Sequence, residues 1–187
     1  MKAIGIVGSP RKGGNTELYT SHVLEAVKEE GLETELIRLA GLDIRPCDAC
    51  MICRKEETCP IKDDLLPLYD RMKEADAIML ASPVYFGAAS GLMKVFTERV
   101  GQIGYVPRAF AGKVGGPLIV GRRAGHTFAF SQLLLWYHSL GFFMPGSSYW
   151  NVGFGREKGE VKGDEEGMIT AWNFGKNIAL LVKKLRA

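Results

Sequence analysis

Three observations predict an α/β fold, a doubly wound parallel sheet of five strands. Short apolar runs alternate with amphipathic stretches of helical length, and the runs stop at glycine, serine or proline. The third run is apolar at every position, as a strand with both faces covered must be. Parallel neighbours need right-handed crossovers, so helices cover both faces and ligands bind at the carboxyl ends of the strands.

The elements follow in order. Ala3 to Val7, rich in β-branched residues and ended by Gly8-Ser9-Pro10, is the first strand, and the amphipathic stretch from Asn15 to Glu30 is the first helix. Glu33 to Leu39 alternates as a second strand, and Asp63 to Glu74 has helical periodicity. Ala77 to Ala81 is the third strand, stopped by Ser82-Pro83, and Gly91 to Val100 the next helix. Val114 to Val120 is the fourth strand and Phe128 to Leu140 a helix; a fifth strand is expected within Phe142 to Ser148, and Glu165 to Leu185 closes as a helix. Two insertions break this rhythm: a cysteine-rich loop at about 40–62, and a glycine- and charge-rich stretch from Asn151 to Gly167. No internal repeat or low-complexity linker divides the chain, so residues 1–187 read as one domain.

With 187 residues, 47% of them hydrophobic, the chain can bury a core without disulfides. The net charge of +3 is spread without a basic run, which argues against nucleic-acid and membrane-surface binding. The first apolar run is too short for a secretory signal and no stretch approaches a membrane span, so a cytoplasmic location is expected. A reducing compartment agrees with the clustered cysteines.

All four cysteines lie in the first insertion, as Cys47-x-x-Cys50-x-x-Cys53 followed by Cys59-Pro60. Structural zinc sites usually use two separated Cys-x-x-Cys knuckles; three cysteines at consecutive three-residue intervals with a fourth shortly after and a proline behind it are closer to ferredoxin-type ligation. Five residues rather than three precede Cys59. The spacing favours a 4Fe-4S cluster over structural zinc or redox-active thiols.

Three strand-to-helix turns carry binding chemistry. Gly8-Ser9-Pro10-Arg11-Lys12-Gly13-Gly14-Asn15-Thr16 begins like a nucleotide phosphate loop, but Gly14 and Asn15 replace its lysine and hydroxyl residue, and no Gly-x-Gly-x-x-Gly is present. The hydroxyls of Ser9 and Thr16, the amide of Asn15, the cation of Arg11 and free donors at a helix start suit one terminal phosphate, as on flavin mononucleotide. The plainer alternative is a solvated turn with Asn15 as a helix cap. After the third strand, Ser82-Pro83-Val84-Tyr85-Phe86-Gly87 places two aromatics where they either border a flavin ring or pack. The third turn, Gly121-Arg122-Arg123-Ala124-Gly125-His126, offers close backbone approach at Gly121 and cations for a reduced flavin or a nicotinamide phosphate. His126 reads first as a hydrogen-bonded structural histidine.

Taken together, Ser9-x-Arg11-x-x-x-Asn15-Thr16, the Ser82-Pro83-Val84-Tyr85 loop and the cysteine run resemble the iron-sulfur flavoprotein family, a branch of the NADPH-dependent FMN reductases. The resemblance implies a flavodoxin-like fold with strand order 2-1-3-4-5 and the cysteine insertion after strand 2. It implies FMN, with its phosphate on Ser9, Arg11, Asn15 and Thr16 and its ring bordered by Pro83, Tyr85, Phe86 and Gly87. It also implies a 4Fe-4S cluster on Cys47, Cys50, Cys53 and Cys59, and a homodimer or homotetramer. On this reading cluster and flavin gather at one sheet edge, and electrons pass from a low-potential donor such as ferredoxin to FMN and on to oxygen, peroxide or a quinone. No side chain need act as catalytic acid or base. The competing readings are an NAD(P)H-dependent FMN or quinone reductase without a functional cluster, a non-enzymatic flavodoxin-like electron carrier, and a zinc-stabilised interaction module.

Overall fold

The structure, a computed structural model, describes residues 1–187. The elements are β1 (Lys2–Val7), α1 (Asn15–Glu29), β2 (Glu33–Arg38), α2 (Leu65–Glu74), β3 (Ala77–Tyr85), β4 (Ala88–Ala89), α3 (Gly91–Tyr105), β5 (Val114–Gly121), α4 (His126–Ser139), β6 (Val152–Phe154) and α5 (Glu165–Arg186). The sheet runs β2-β1-β3-β5-β6, all parallel, with β4 antiparallel to the end of β3. Counted over its parallel strands alone, this is the expected 2-1-3-4-5 order of a flavodoxin-like fold.

Strand side chains alternate between two cores. Ile4, Ile6, Ile78, Leu80 and Ile119 pack against α2, α3 and α4, while Ala3, Val7, Met79, Leu118 and Val120 face α1 and α5. No helix is long and apolar enough to cross a membrane.

Two prolines explain where the sequence reading missed the strands. In a parallel ladder alternate residues of a strand present their N–H and C=O to the same neighbour. On β5, the N–H of Gly115 donates to the carbonyl of Phe143 and that of Ile119 to the carbonyl of Asn151. Pro117 lies between them and has no N–H to give. The fifth parallel strand is therefore split: only Phe143 bridges the start of β5, and regular pairing resumes at Val152–Phe154 rather than within Phe142–Ser148. Pro83 has the complementary effect. It does not stop β3, which continues to Tyr85, and the carbonyl of Gly8, near which it offers no donor, accepts from the Ser90 hydroxyl at 2.6 Å.

Helix starts also moved. α2 begins at Leu65, since Asp63 stays outside it and accepts from the Leu65 N–H at 3.1 Å. α4 begins at His126, two residues before the expected start, behind a left-handed Gly125.

Between β3 and β5, the buried Tyr137 hydroxyl accepts from the Leu80 N–H at 2.7 Å and has the carbonyls of Gly116 and Ile78 at 3.0 and 3.1 Å for its own proton. Gly115 makes room for it, because a Cβ there would lie 2.8 Å from the Tyr137 ring. Tyr137→Phe leaves buried backbone groups unpaired, and chemical denaturation should show a loss of about 1–3 kcal/mol. At the opposite end of the sheet, burial pushes the Asp76 carboxyl up, but hydrogen bonds from the Lys2 N–H and the Arg186 side chain outweigh it and hold the group below its ordinary range. A depressed folded value stabilises the native state above the ordinary aspartate range, near pH ~3.9, and this contribution is lost as the pH falls further. Asp76→Asn should accordingly flatten the acid limb of a stability-against-pH curve.

Candidate functional site

At the carboxyl edge of the sheet β1 turns into α1 through residues 8–14. The cap position of α1 is Gly14, which has no side chain to offer, and Glu17 reaches back to accept from the Gly13 N–H at 2.8 Å. Glu17 is itself paired with Arg38 at 3.0 Å. The first N–H groups of α1 are thus left without side-chain caps. Ser9 and Thr16 are buried beside them, and the Ser9 hydroxyl accepts from the Arg11 N–H at 3.2 Å.

This turn forms one wall of a cavity of about 230 Å³. Ser9, Arg11, Asn15 and Thr16 line it from β1 and α1; Pro83, Val84 and Tyr85 from the end of β3; Val120, Gly121 and Arg122 from the end of β5. Gly155 and Arg156, just beyond β6, close it. The residues expected from three separate turns therefore meet, with three arginines around one opening.

Phe86 and Gly87 do not reach this cavity. They form the tip of the two-residue hairpin between β3 and β4, both with positive φ (50° and 80°), as a type I′ turn requires. A phenylalanine in that region is strained, and its ring is wholly exposed.

Asn15 is in the cavity wall, but its amide is engaged elsewhere. Its Nδ2 donates to the Glu157 carbonyl at 2.8 Å, and its Oδ1 accepts from the Gly159 and Val161 N–H groups at 2.8 and 3.4 Å. It is not the cap of α1, and through these bonds it fastens the 155–161 loop over the first turn. Arg11 assists by donating to the Arg156 carbonyl at 3.3 Å, and the Glu160 carboxylate gathers the Arg156 and Glu157 N–H groups at 2.6 and 2.7 Å. Those N–H groups, from Glu157 first and then Arg156, hold the Glu160 carboxyl below its usual range. Sequence reasoning missed this wall because it placed the fifth strand too early; the glycine- and charge-rich stretch after Asn151 was its signal. His126 is buried, with Nε2 3.3 Å from the Gly153 carbonyl and its ring 4.3 Å from that of Phe154, which is a structural role.

The cysteine loop builds a second cavity, of about 110 Å³, lined by Cys47, Cys50, Cys53 and Cys59 together with Arg99, Gln102 and Ile103 of α3. None of the cysteines is in a disulfide. Ala49 and Met51, with φ of 58° and 64°, turn the backbone between them. Cys47 and Cys50 are exposed, whereas Cys53 and Cys59 pack against the core beneath α3. Burial, and then the neighbouring Cys47, push the Cys53 thiol up. No three Cys, His, Asp or Glu side chains converge closely enough to hold one metal ion. The four thiols surround one shared space, a donor set of the kind that takes an iron-sulfur group or zinc.

Arg99 is the residue of this cavity that sequence reasoning overlooked, although a charge among Phe96, Val100 and Ile103 on the apolar stripe of a helix was a legible signal. Its side chain is only 1% exposed and pairs with the fully buried Asp63. It donates to the Arg45 carbonyl and to the Cys59 sulfur, each at 3.1 Å, and its buried Nε–H has no partner. An orphaned donor in a wall facing four thiols suits a bound group with sulfide acceptors.

The two cavities share no lining residue. Arg99 and Ile103 lie 8 and 12 residues beyond Gly91, the start of α3, so the cysteine cavity sits about 12–18 Å down the helix. The cysteine loop leaves β2 at the edge that carries the first turn, as expected, and then folds back along α3. Removing the clasp at the first cavity, by Asn15→Ala, should speed amide exchange at Gly159 and Val161 by about fivefold, corresponding to a hydrogen bond of roughly 1 kcal/mol.

Comparison with known proteins agrees with this architecture. The NADPH-dependent FMN reductase family matches residues 1–157. The chain is 42% identical to an iron-sulfur flavoprotein of Methanocaldococcus jannaschii over 100% of both proteins. It is 35% identical to an iron-sulfur flavoprotein of Archaeoglobus fulgidus over 97% of each. Among solved structures, RosB with bound 8-demethyl-8-formylriboflavin-5'-phosphate superposes with a TM-score of 0.81 at 19% identity, over 100% of this chain and 80% of that one. A flavodoxin from the domain Archaea superposes with a TM-score of 0.66 at 16% identity, over 98% and 99% of the two chains. Those structural likenesses concern the fold; the sequence matches concern the family. The chain, with its cavity at the sheet edge and its cysteine loop, belongs to the iron-sulfur flavoprotein group of the NADPH-dependent FMN reductase family and is an FMN-dependent oxidoreductase.

Proposed function

We propose that this oxidoreductase carries electrons from a low-potential one-electron donor such as ferredoxin to a small acceptor, such as oxygen, peroxide or a quinone. FMN would occupy the sheet-edge cavity, and Cys47, Cys50, Cys53 and Cys59 would hold a 4Fe-4S cluster. When bound, FMN exchanges electrons singly or in pairs and the cluster exchanges them singly. The observation that carries the reading is that four unbridged thiols line one cavity, against a buried guanidinium, in a chain that has a separate cavity among the turns at the carboxyl edge of its sheet.

The chain's residues divide the work of binding. Ser9, Thr16 and the first N–H groups of α1 receive the FMN phosphate, with Arg11, Arg122 and Arg156 supplying positive charge. Pro83, Tyr85 and Gly121 border the ring, with Gly121 admitting close approach. Asn15 positions the loop that carries Arg156. Phe86 and Gly87, next to Tyr85 at the hairpin tip, would border the outer side of the ring, and in a homodimer or homotetramer the exposed Phe86, Phe128 and Leu135 would find cover.

One observation favours a second reading, an NAD(P)H-dependent FMN or quinone reductase with no working cluster. Three arginines around the flavin cavity exceed what one phosphate needs and would serve a further anionic nucleotide. Anaerobic purification with iron and sulfide analysis separates the two. Under the proposal the protein contains both elements, reduced ferredoxin bleaches its FMN, and Cys53→Ser abolishes that bleaching while leaving FMN bound. Rapid bleaching by NADPH in protein free of iron and sulfide would select the second reading.

A further inference from the structure

We infer that Arg99 sets the reduction potential of the group held by the four cysteines, acting through Cys59 as a positioning and tuning residue. This rests on the cluster reading above.

Stability gives no reason for a guanidinium at this point. Arg99 occupies the apolar face of α3 between Phe96 and Val100, and its pair with Asp63 is buried on both sides. Such a pair is commonly matched or surpassed in stability by apolar side chains of the same size, because both ions lose their hydration. What the pair adds is an oriented charge. Asp63 is held from behind by the Arg45 and Leu65 N–H groups, and Arg99 turns an Nη2–H toward the Cys59 sulfur. Cys59 is the only cysteine that receives a side-chain donor; Cys47 receives only the Ala49 N–H, at 3.4 Å.

A hydrogen bond and a permanent cation against a thiolate ligand draw electron density from sulfur and favour the more negative, reduced state of what the thiolate holds. Arginine keeps its charge at any pH at which the protein is folded, so the effect does not depend on titration. Asp63 works in the opposite sense, offsetting part of that charge while fixing its direction. The two residues therefore act with opposite sign on one one-electron couple.

Anaerobic potentiometric titration of the holoprotein, followed by EPR, tests this. Arg99→Gln should lower the cluster midpoint, Arg99→Lys should recover part of the loss by restoring the charge without the planar fork, and Asp63→Asn should raise it. A residue that merely holds the loop would not yield shifts of opposite sign. Arg99→Gln should also release iron to a chelator about tenfold faster or more. Because Arg99→Gln leaves Asp63 buried without its partner, the uncharged pair Asp63→Asn with Arg99→Gln is measured beside it, and its midpoint should also lie below wild type. Wild-type midpoints in Arg99→Gln or in the double variant, with iron and sulfide intact, would overturn the role of Arg99 and leave the cluster reading standing. Absence of iron and sulfide from anaerobically prepared wild-type protein would overturn both.

Discussion

A single buried carboxylate, that of Asp63, joins the cysteine loop to the rest of the molecule. It accepts from the Arg45 N–H across the neck of the loop, from the Leu65 N–H at the start of α2, and from Arg99 on α3. Beside it, Asp64 ties the neck again by accepting from the Asp43 N–H at 2.8 Å. The loop between these ties has little regular structure beyond one turn at Ile52–Arg54, so the common cavity of the four thiols depends on them and on Glu57, which accepts from the Tyr69 hydroxyl at 2.8 Å and pairs with Lys73 of α2. Removing one member of such a buried pair typically costs about 3–5 kcal/mol, a large part of the stability of an ordinary domain. Cysteine spacing thus specifies which atoms can meet, whereas an aspartate outside the motif specifies where.

The flavin cavity follows a different logic, in which side chains stand in where the backbone has no donor to give. Pro83 offers no N–H near the end of β1, and the Ser90 hydroxyl bonds to the Gly8 carbonyl instead, tying the first turn to the start of α3. Ser82 extends the same chain by accepting from the Ser90 N–H at 2.9 Å. On the far side Asn15 performs the equivalent task for the 155–161 loop. Four turns from distant parts of the sequence are held in register by a few short polar side chains, and the cavity is preorganised to that extent.

Much of this was legible in the sequence because burial imposes period. The uniformly apolar Ala77–Ala81 and the alternation of Glu33–Leu39 identified strands correctly, and Ser9, Arg11, Thr16, Pro83, Tyr85 and Gly121 were recognisable as residues of turns on one edge. The failures have specific causes. The loop contacts of Asn15 were hidden because an amide can bond to almost anything, and these partners lie more than 140 residues away. The split fifth strand was hidden because Pro117 acts on a neighbouring strand rather than on its own. The place of Phe86 at the tip of a tight hairpin was hidden because it is set by pairing between Tyr85 and Ala88.

The interruption of the last parallel strand also bears on the company this protein can keep. One edge of its sheet is β6, three residues long, and the other is β2, whose six residues include Glu33, Glu35 and Arg38. Neither presents the long, flat, apolar row of free backbone groups on which a foreign strand can grow. A redox protein whose core is a sheet is thereby guarded against sheet-to-sheet polymerisation, and its encounters with other molecules are left to its helices and loop tips.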